Sequence, residues 1–299
     1  MMELRRLRIL HGLAQHRTVA ATAAALHLTG PAVSQHLAAL EREAGTPLLE
    51  KQGRTLTFTP AGRLLVSHAE VILDDLAAAE SALAEVAENG TTGTVRLAAF
   101  ASASRQLLPR MWSSVSLRLA VQEPETALAS LRREEADIAV VHSYSLLPRD
   151  LPPRCEDRML LAEPVLLATS AASAPGTPMR LADFADEPWL VPTADLSCHE
   201  MIQRACGAAG FVPKVAAESP DFAVLIALAA AGAGVALVPA MALPAGPLGV
   251  SLHRLTEPLT RKVFAVTRWG MARRPDIRAV LDGLERSAAE WTAESEAGS

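Results

Sequence analysis

The sequence predicts an α+β winged helix-turn-helix head and a long linker helix, joined to a two-lobed α/β domain. Three observations carry this. Within the first 60 residues, two helical patterns separated by a short break precede a Gly-centred hairpin pattern. From Leu65 to Val86 apolar residues alternate at intervals of four and three. From residue 94 onward strand-like and helix-like segments alternate in two successive rounds, the pattern of parallel sheets covered by helices. At 299 residues the chain has room for two or three domains, and with 50% hydrophobic and 20% charged residues it is globular rather than disordered.

In the head, Leu4, Leu7, Leu10, Leu13 and Ala14 recur at helical spacing, so residues 4–16 form an amphipathic helix. Thr18 can cap a second helix over the small residues from Val19 to Leu26, which allow a close neighbour. After a break at His27-Leu28, Thr29-Gly30-Pro31 supplies an N-cap and a first-turn proline for a third helix. There Val33, Leu37 and Leu40 face inward, while Ser34 and Gln35 point toward the base edges of a major groove if the helix docks on DNA. Leu48-Leu49-Glu50-Lys51-Gln52-Gly53-Arg54-Thr55-Leu56-Thr57-Phe58 reads as a wing, with Arg54 placed like a minor-groove arginine, and Thr59-Pro60-Ala61-Gly62 opens the next helix. Charge agrees: residues 1–63 hold eight basic against four acidic residues, a net of +4 in a chain of −5, so the remainder carries −9. His11, His16, His27 and His36 show no metal-ligand spacing and read as surface or fold residues.

The linker helix presents Leu65, Ala69, Ile72, Leu76, Ala79, Leu83 and Val86 as a heptad seam for dimerisation, or for packing on the head itself. Residues 64–90 carry six acids and no Lys or Arg, so paired helices need basic surface nearby. The run from Glu88 to Gly93 ends the helix and forms a hinge. Beyond it, strands are predicted at 94–99, 117–122 and 137–141 with helices at 105–112 and 125–134. A second round has strands at 164–168, 189–192, 214–216 and 234–239 with helices near 198–209 and 222–231. A strand at 262–266 crosses back, and a helix at 275–288 closes on the first lobe. The domain boundaries are 1–60 for the head, 61–90 for the linker, 92–163 plus 267–290 for lobe I, and 164–266 for lobe II.

Several function classes are excluded or disfavoured. Cys155, Cys198 and Cys206 cannot form a disulfide framework and the N-terminus lacks a signal-peptide core, which places the chain in the cytoplasm. The uncharged run from Phe222 to His253 is divided by Gly and Pro into pieces too short for a membrane span. There is no Gly-x-Ser-x-Gly elbow, His-Glu-x-x-His helix or P-loop lysine, and adjacent Cys198-His199-Glu200 diverge around a helix, so no catalytic or metal residues are assigned. No cofactor is expected.

Thr29 to Leu37, Pro47-Leu48-Leu49-Glu50, Gly53-Arg54 and Thr59-Pro60-Ala61-Gly62, in this order and spacing, resemble the head of LysR-type transcriptional regulators. Leu107-Leu108-Pro109, Asp137-Ile138-Ala139-Val140, Glu187-Pro188-Trp189, Ala208-Ala209-Gly210-Phe211 and the run from Ala231 to Pro239 resemble the periplasmic-binding-protein-like effector domain of the same family. The resemblance weakens between Arg110 and Val121, where this chain is shorter. It implies DNA contacts from Thr29, Gly30, Pro31, Ser34, Gln35, His36, Arg54 and Thr59. Gly30 stands where many members have Gln, which shifts readout toward Ser34, Gln35 and Arg54, and His36 stands where Gln is usual.

For the effector domain the resemblance implies a small-molecule inducer between the lobes, held by Ser102, Ser104, His142, Ser143, Thr193 and Phe222. It also implies double-stranded promoter DNA, a homodimer or homotetramer, and RNA polymerase as partners. A peroxide-sensing branch of the family uses two cysteines in this region, which makes a redox sensor built on Cys198 and Cys206 the alternative. Eight residues of intact helix separate these two by about 12 Å, too far for a disulfide without unwinding.

Overall fold

A computed structural model describes residues 2–52, 55–88, 93–171, 178–244, 246 and 248–297. Its contacts divide the chain into two compact units, 1–93 with 269–278, and 94–268 with 279–299.

The first unit is built from α1 (Leu4–His16), α2 (Val19–Ala25), α3 (Gly30–Ala44), the hairpin β1 (Leu49–Gln52) and β2 (Thr55–Phe58), and α4 (Pro60–Glu88). Thr18 and Thr29 cap α2 and α3 by accepting from the Ala21 and Ala32 amides. Arg17 and His27 take left-handed backbone conformations that turn the chain between the helices. Leu7, Leu10, Leu13, Val33, Leu37, Leu40 and Leu48 form the core with Ala69 of α4. The Glu41 carboxylate accepts from the Leu48 and Leu49 amides at 2.9 and 3.0 Å, fastening α3 to the start of the wing. At Gly62 a Cβ would lie 2.0 Å from the Leu48 carbonyl oxygen, so only glycine permits α4 to pass this close to the hairpin.

Helix α4 divides the predicted seam. Ala69 is fully buried and Leu65 is partly buried against the head's own core, whereas Ile72 is 43% exposed. Leu83 and Val86, and the hinge residues 89–92, fall outside the described residues or side chains.

The second unit contains β3 (Val95–Ala99), α5 (Ala101–Met111), β4 (Leu117–Val121), α6 (Pro124–Arg132), β5 (Ile138–Tyr144) and β6 (Cys155–Ser170). It continues with β7 (Pro188–Val191), α7 (Ser197–Ala208), β8 (Lys214–Glu218), α8 (Phe222–Ala230), β9 (Ala236–Pro239), β10 (Val250–His253) and β11 (Thr260–Arg268), and ends in α9 (Pro275–Ala297). One seven-stranded sheet runs β10-β6-β11-β5-β3-β4 with β9 also on β6, and β7-β8 form a separate parallel pair. The 16-residue β6 gives the domain its two lobes. Its first part pairs with β11 beside β5 in lobe I, and its last part pairs with β9 and β10 in lobe II. Trp189, Val191, Met201, Ile202 and Leu237 form a lobe II core. In lobe I, the buried Asp137 carboxylate takes hydrogen bonds from Arg96 Nε at 3.0 Å and Nη2 at 2.6 Å. Burial alone would lift the Asp137 pKa, but these hydrogen bonds and the Arg96 charge hold it below the usual carboxylate range.

The structure departs from the sequence reading in several places. Strand β6 begins at Cys155, not 164, because its first half is half-buried and mixes Glu156, Asp157 and Arg158 with apolar residues. Strand β10 is absent from the sequence reading, and β5 runs on to Tyr144. Helix α5 begins at Ala101, four residues early, and α9 extends to Ala297. Segment 269–278, assigned to lobe I from the sequence, clusters with the first unit, where Arg273 lies 3.5 Å from Asp75 of α4.

Candidate functional site

In the head, α3 buries Val33, Leu37 and Leu40 and leaves Pro31, Ser34 and Gln35 exposed on the opposite face, with Thr29 exposed at its cap and His36 half-exposed beside them. A Cβ at Gly30 would meet only Val19 Cγ1, at 4.0 Å, so the small residue there leaves open space on the same face. Thr59 is held within the head itself, where its hydroxyl donates to the Pro47 carbonyl at 2.8 Å and accepts from the Gly62 amide at 3.0 Å. Arg54 lies outside the described residues.

In the effector domain, the carboxyl ends of β3, β4 and β5 and the connections after β7, β8 and β9 converge on one cleft, the position where α/β sheets bind ligands. From lobe I it receives Phe100, Ser102, Glu123, His142 and Tyr144. From lobe II it receives Leu196, Cys198, Asp221, Phe222 and Ala242. Arg261, near the start of β11, stands across from Glu163 of β6 in the strand register and forms the floor. Arg261 Nε donates to Glu163 Oε1 at 2.7 Å, and Nη2 lies 2.6 Å from the same oxygen. Nη2 also donates to Ser102 Oγ at 3.1 Å. Glu163 Oε2 accepts from the Met241 amide of lobe II. One buried ion pair on the crossing strands thereby holds a group from each lobe. The guanidinium lies 5.1 Å from the Phe100 ring centroid, and Phe100, His142 and Tyr144 follow in edge-on contacts of 4.7 and 5.1 Å.

Two buried polar atoms on this cleft, His142 Nδ1 and Tyr144 Oη, have no hydrogen-bond partner among the described residues. Burial, with the Arg261 and Arg149 charges, holds His142 well below the ordinary imidazole pKa, so it is neutral. Burial raises Tyr144, so its phenol stays protonated beside Arg261. Burial, aided by Glu125 and Asp195 and opposed by Arg261 and Arg149, raises Glu123 above the usual carboxylate range. The inner cavity measures about 70 Å³. Leu196 also lines an adjoining groove of about 370 Å³ with Glu125, Arg149, Asp150, Asp195 and Glu200.

Of the six residues expected at the inducer site, the cleft brings together Ser102, His142 and Phe222. The other three are placed elsewhere. Ser104 turns back along α5 and donates to the Phe100 carbonyl at 3.0 Å. Ser143 alternates with His142 and Tyr144 along β5 and points away from their face. Thr193 does not line the cleft, and its carbonyl accepts from the Leu196 amide. Sequence reasoning missed Arg261, Glu163, Tyr144 and Glu123. Arg261 and Glu163 stand in strands that carry other charges, Lys262 and Arg268 in β11 and Glu156, Asp157 and Arg158 in β6, so nothing in the local sequence marks them as a buried pair.

Cys198 lines the cleft and Cys206 is wholly buried in the lobe II core; burial pushes each thiol up to about 12. The helix carrying both is continuous from Ser197 to Ala208. Among the described residues no group of His, Cys, Asp and Glu could hold a metal ion, and no helix is long and apolar enough to cross a membrane.

Comparison with known proteins agrees with both halves. Residues 4–63 match the model for bacterial regulatory helix-turn-helix proteins of the lysR family, and residues 88–289 match the LysR substrate binding domain. The chain is 27% identical over 304 residues to the HTH-type transcriptional regulator IlvR of Caulobacter vibrioides, spanning 97% of this chain and 98% of that protein. It is 26% identical over 266 residues to the DNA-binding transcriptional dual regulator OxyR of Escherichia coli, spanning 81% of each. In three dimensions it resembles a hydrogen-peroxide-bound OxyR mutant of Corynebacterium glutamicum, with a TM-score of 0.60 and 23% identity over 100% of this chain and 96% of that one. It also resembles full-length BenM, with a TM-score of 0.57 and 21% identity over 97% of each. A head that offers one polar helix face, an effector domain with a cleft between two lobes, and family matches over both place this chain in the LysR family of DNA-binding transcriptional regulators.

Proposed function

We propose that a small molecule binding between the two effector lobes alters how this regulator holds promoter DNA. The supporting observation is the cleft itself: a neutral His142 and a protonated Tyr144, each buried with a polar atom that lacks a partner among the described residues, at the carboxyl ends of a parallel sheet. A ligand that satisfies them in one lobe arrangement and not in another shifts the population between the two. Ser34, Gln35 and Arg54 read the major groove and the wing's groove, with Thr29, Gly30 and Pro31 positioning the helix start against phosphate and sugar.

Two copies pair through the free face of α4, from Ile72 onward, and effector domains join dimers into a tetramer that spans two half-sites and contacts RNA polymerase. The protein works in the cytoplasm, and it neither catalyses a reaction nor carries a cofactor. The test is fluorescence anisotropy of operator DNA with purified protein and fractions of a bacterial metabolite extract. The proposal expects one fraction to change the DNA affinity, and expects Tyr144→Phe to remove that response. Identical affinity in every fraction contradicts it.

The redox alternative finds no support in two buried, protonated thiols on an intact helix. Hydrogen peroxide treatment of the folded protein should leave Cys198 and Cys206 as free thiols, and a disulfide between them would reinstate that reading.

A further inference from the structure

The cleft's inner walls carry opposite demands. On one side stand donor groups: Tyr144 Oη, buried without a hydrogen-bond acceptor among the described residues and lying beside Arg261, and the Ser102 hydroxyl, whose oxygen already accepts from Arg261 Nη2. The first turn of α5 adds the positive end of a helix dipole behind Ser102. On the other side stands Glu123, directly after β4. It is half-buried and, among the described residues, makes neither a hydrogen bond nor an ion pair through its side chain. Glu125 and Asp195 lie close enough to repel it, and the nearer cations are committed elsewhere, Arg149 to Glu125 at 2.8 Å and Arg261 to Glu163.

Charge decides between ligand classes. Arg105 and Arg261 line the cavity with Glu123 and Asp221, and Glu163 stands directly behind Arg261, two cations against three carboxylates. A simple anion satisfies the donors but adds to the negative excess. A simple cation meets Glu123 but leaves the donors dry, and buried polar groups left without partners are costly. A ligand carrying both charges on neighbouring atoms answers both walls. The inner cavity, about 70 Å³, is small beside the adjoining groove of about 370 Å³ that shares Leu196, so it admits a ligand's polar head while the rest extends into that groove.

We infer that the cleft takes an α-amino acid, with its carboxylate held by Ser102, Tyr144 and Arg261 and its ammonium held by Glu123. This rests on the proposed effector role of the cleft and names the class of molecule that fills it. Glu123 gains a role of its own here, as the reader of the ammonium.

Isothermal titration of the full-length protein tests it with the common L-α-amino acids. Each binder is then compared with its deaminated acid and its decarboxylated amine. The expected result is at least one amino acid that binds, with acid and amine roughly ten- to a hundredfold weaker. Glu123→Gln should weaken the amino acid by a similar factor while leaving the acid's affinity in place, and Tyr144→Phe should weaken both. Circular dichroism confirms that each variant is folded, and Glu123→Asp, which keeps the charge, should restore part of the loss if Gln proves too disruptive. An acid that binds as tightly as its amino acid, Glu123 variants without effect, or no amino acid binding at all would overturn the assignment. If in that last case another metabolite fraction still alters DNA affinity, only the ligand class is wrong; if none does, the effector role itself fails.

Discussion

Glu163→Gln tests the most consequential contact in the effector domain. The Arg261 side chain is 2% exposed and the Glu163 side chain 0%, with 2.6 Å between guanidinium and carboxylate. With an effective dielectric near 20, two unit charges at that distance attract by about 6 kcal/mol, comparable to the several kcal/mol each ion loses on leaving water. The intact pair is therefore close to neutral for stability. Removing only the negative charge leaves the guanidinium buried and uncompensated, at a cost of roughly 3–5 kcal/mol. That is a large share of the roughly 5–15 kcal/mol typical of a domain. Urea unfolding of the full-length protein, followed by tryptophan fluorescence with the buried Trp189 as a lobe II reporter, measures it. The double variant Glu163→Leu, Arg261→Met removes both charges and should recover most of the loss. A Glu163→Gln variant within about 1 kcal/mol of the parent would refute the reasoning, because it would mean that water reaches the pair.

Three further outcomes are expected. His142 stays neutral in the fold because burial, Arg261 and Arg149 lower its pKa, so the unfolded chain gains a proton first as pH falls through about 6.5. Its contribution to stability is present above that value and is lost below it at up to about 1.4 kcal/mol per pH unit; urea titrations at about pH 7.5 and 5.5, either side of that value, should show a smaller difference for His142→Asn. Gly62→Ala should destabilise the head by roughly 1–3 kcal/mol or more, since its Cβ meets a backbone oxygen rather than a flexible side chain; thermal unfolding that matches the parent would contradict the close approach of α4 to Leu48. Arg54→Ala should weaken binding to the operator more than to unrelated DNA and reduce the slope of log affinity against log salt by about one, with the effector domain's thermal transition unchanged.

The parts legible in the sequence are those set by local rules. Thr18 and Thr29 cap the helices they precede, since an N-cap depends on neighbours three residues away. The apolar spacing of Val33, Leu37 and Leu40 fixes which face of α3 is buried, and so leaves Ser34 and Gln35 outward. The cleft is legible only where position along a strand or helix suffices. Ser102 and His142 face inward, whereas Ser104 lies two residues further round α5 and Ser143 one residue further along β5, enough to turn each away. Arg261 and Glu163 are 98 residues apart in the chain and meet only because β6 and β11 lie in register. No local rule supplies that register, particularly when the mixed polar first half of β6 hides the strand itself. Glu123 escapes sequence reasoning for a related reason: a lone carboxylate after a strand is ordinary until the opposite lobe covers it.

The central claim is that the basic head reads DNA at two spaced sites. Footprinting of the purified protein on the region upstream of its own gene, at low and at higher salt, tests it most directly. The account predicts two protected half-sites separated by whole helical turns, with protection that weakens as salt rises and shifts when a cleft ligand is added. Uniform coating without defined half-sites at either salt concentration would contradict it.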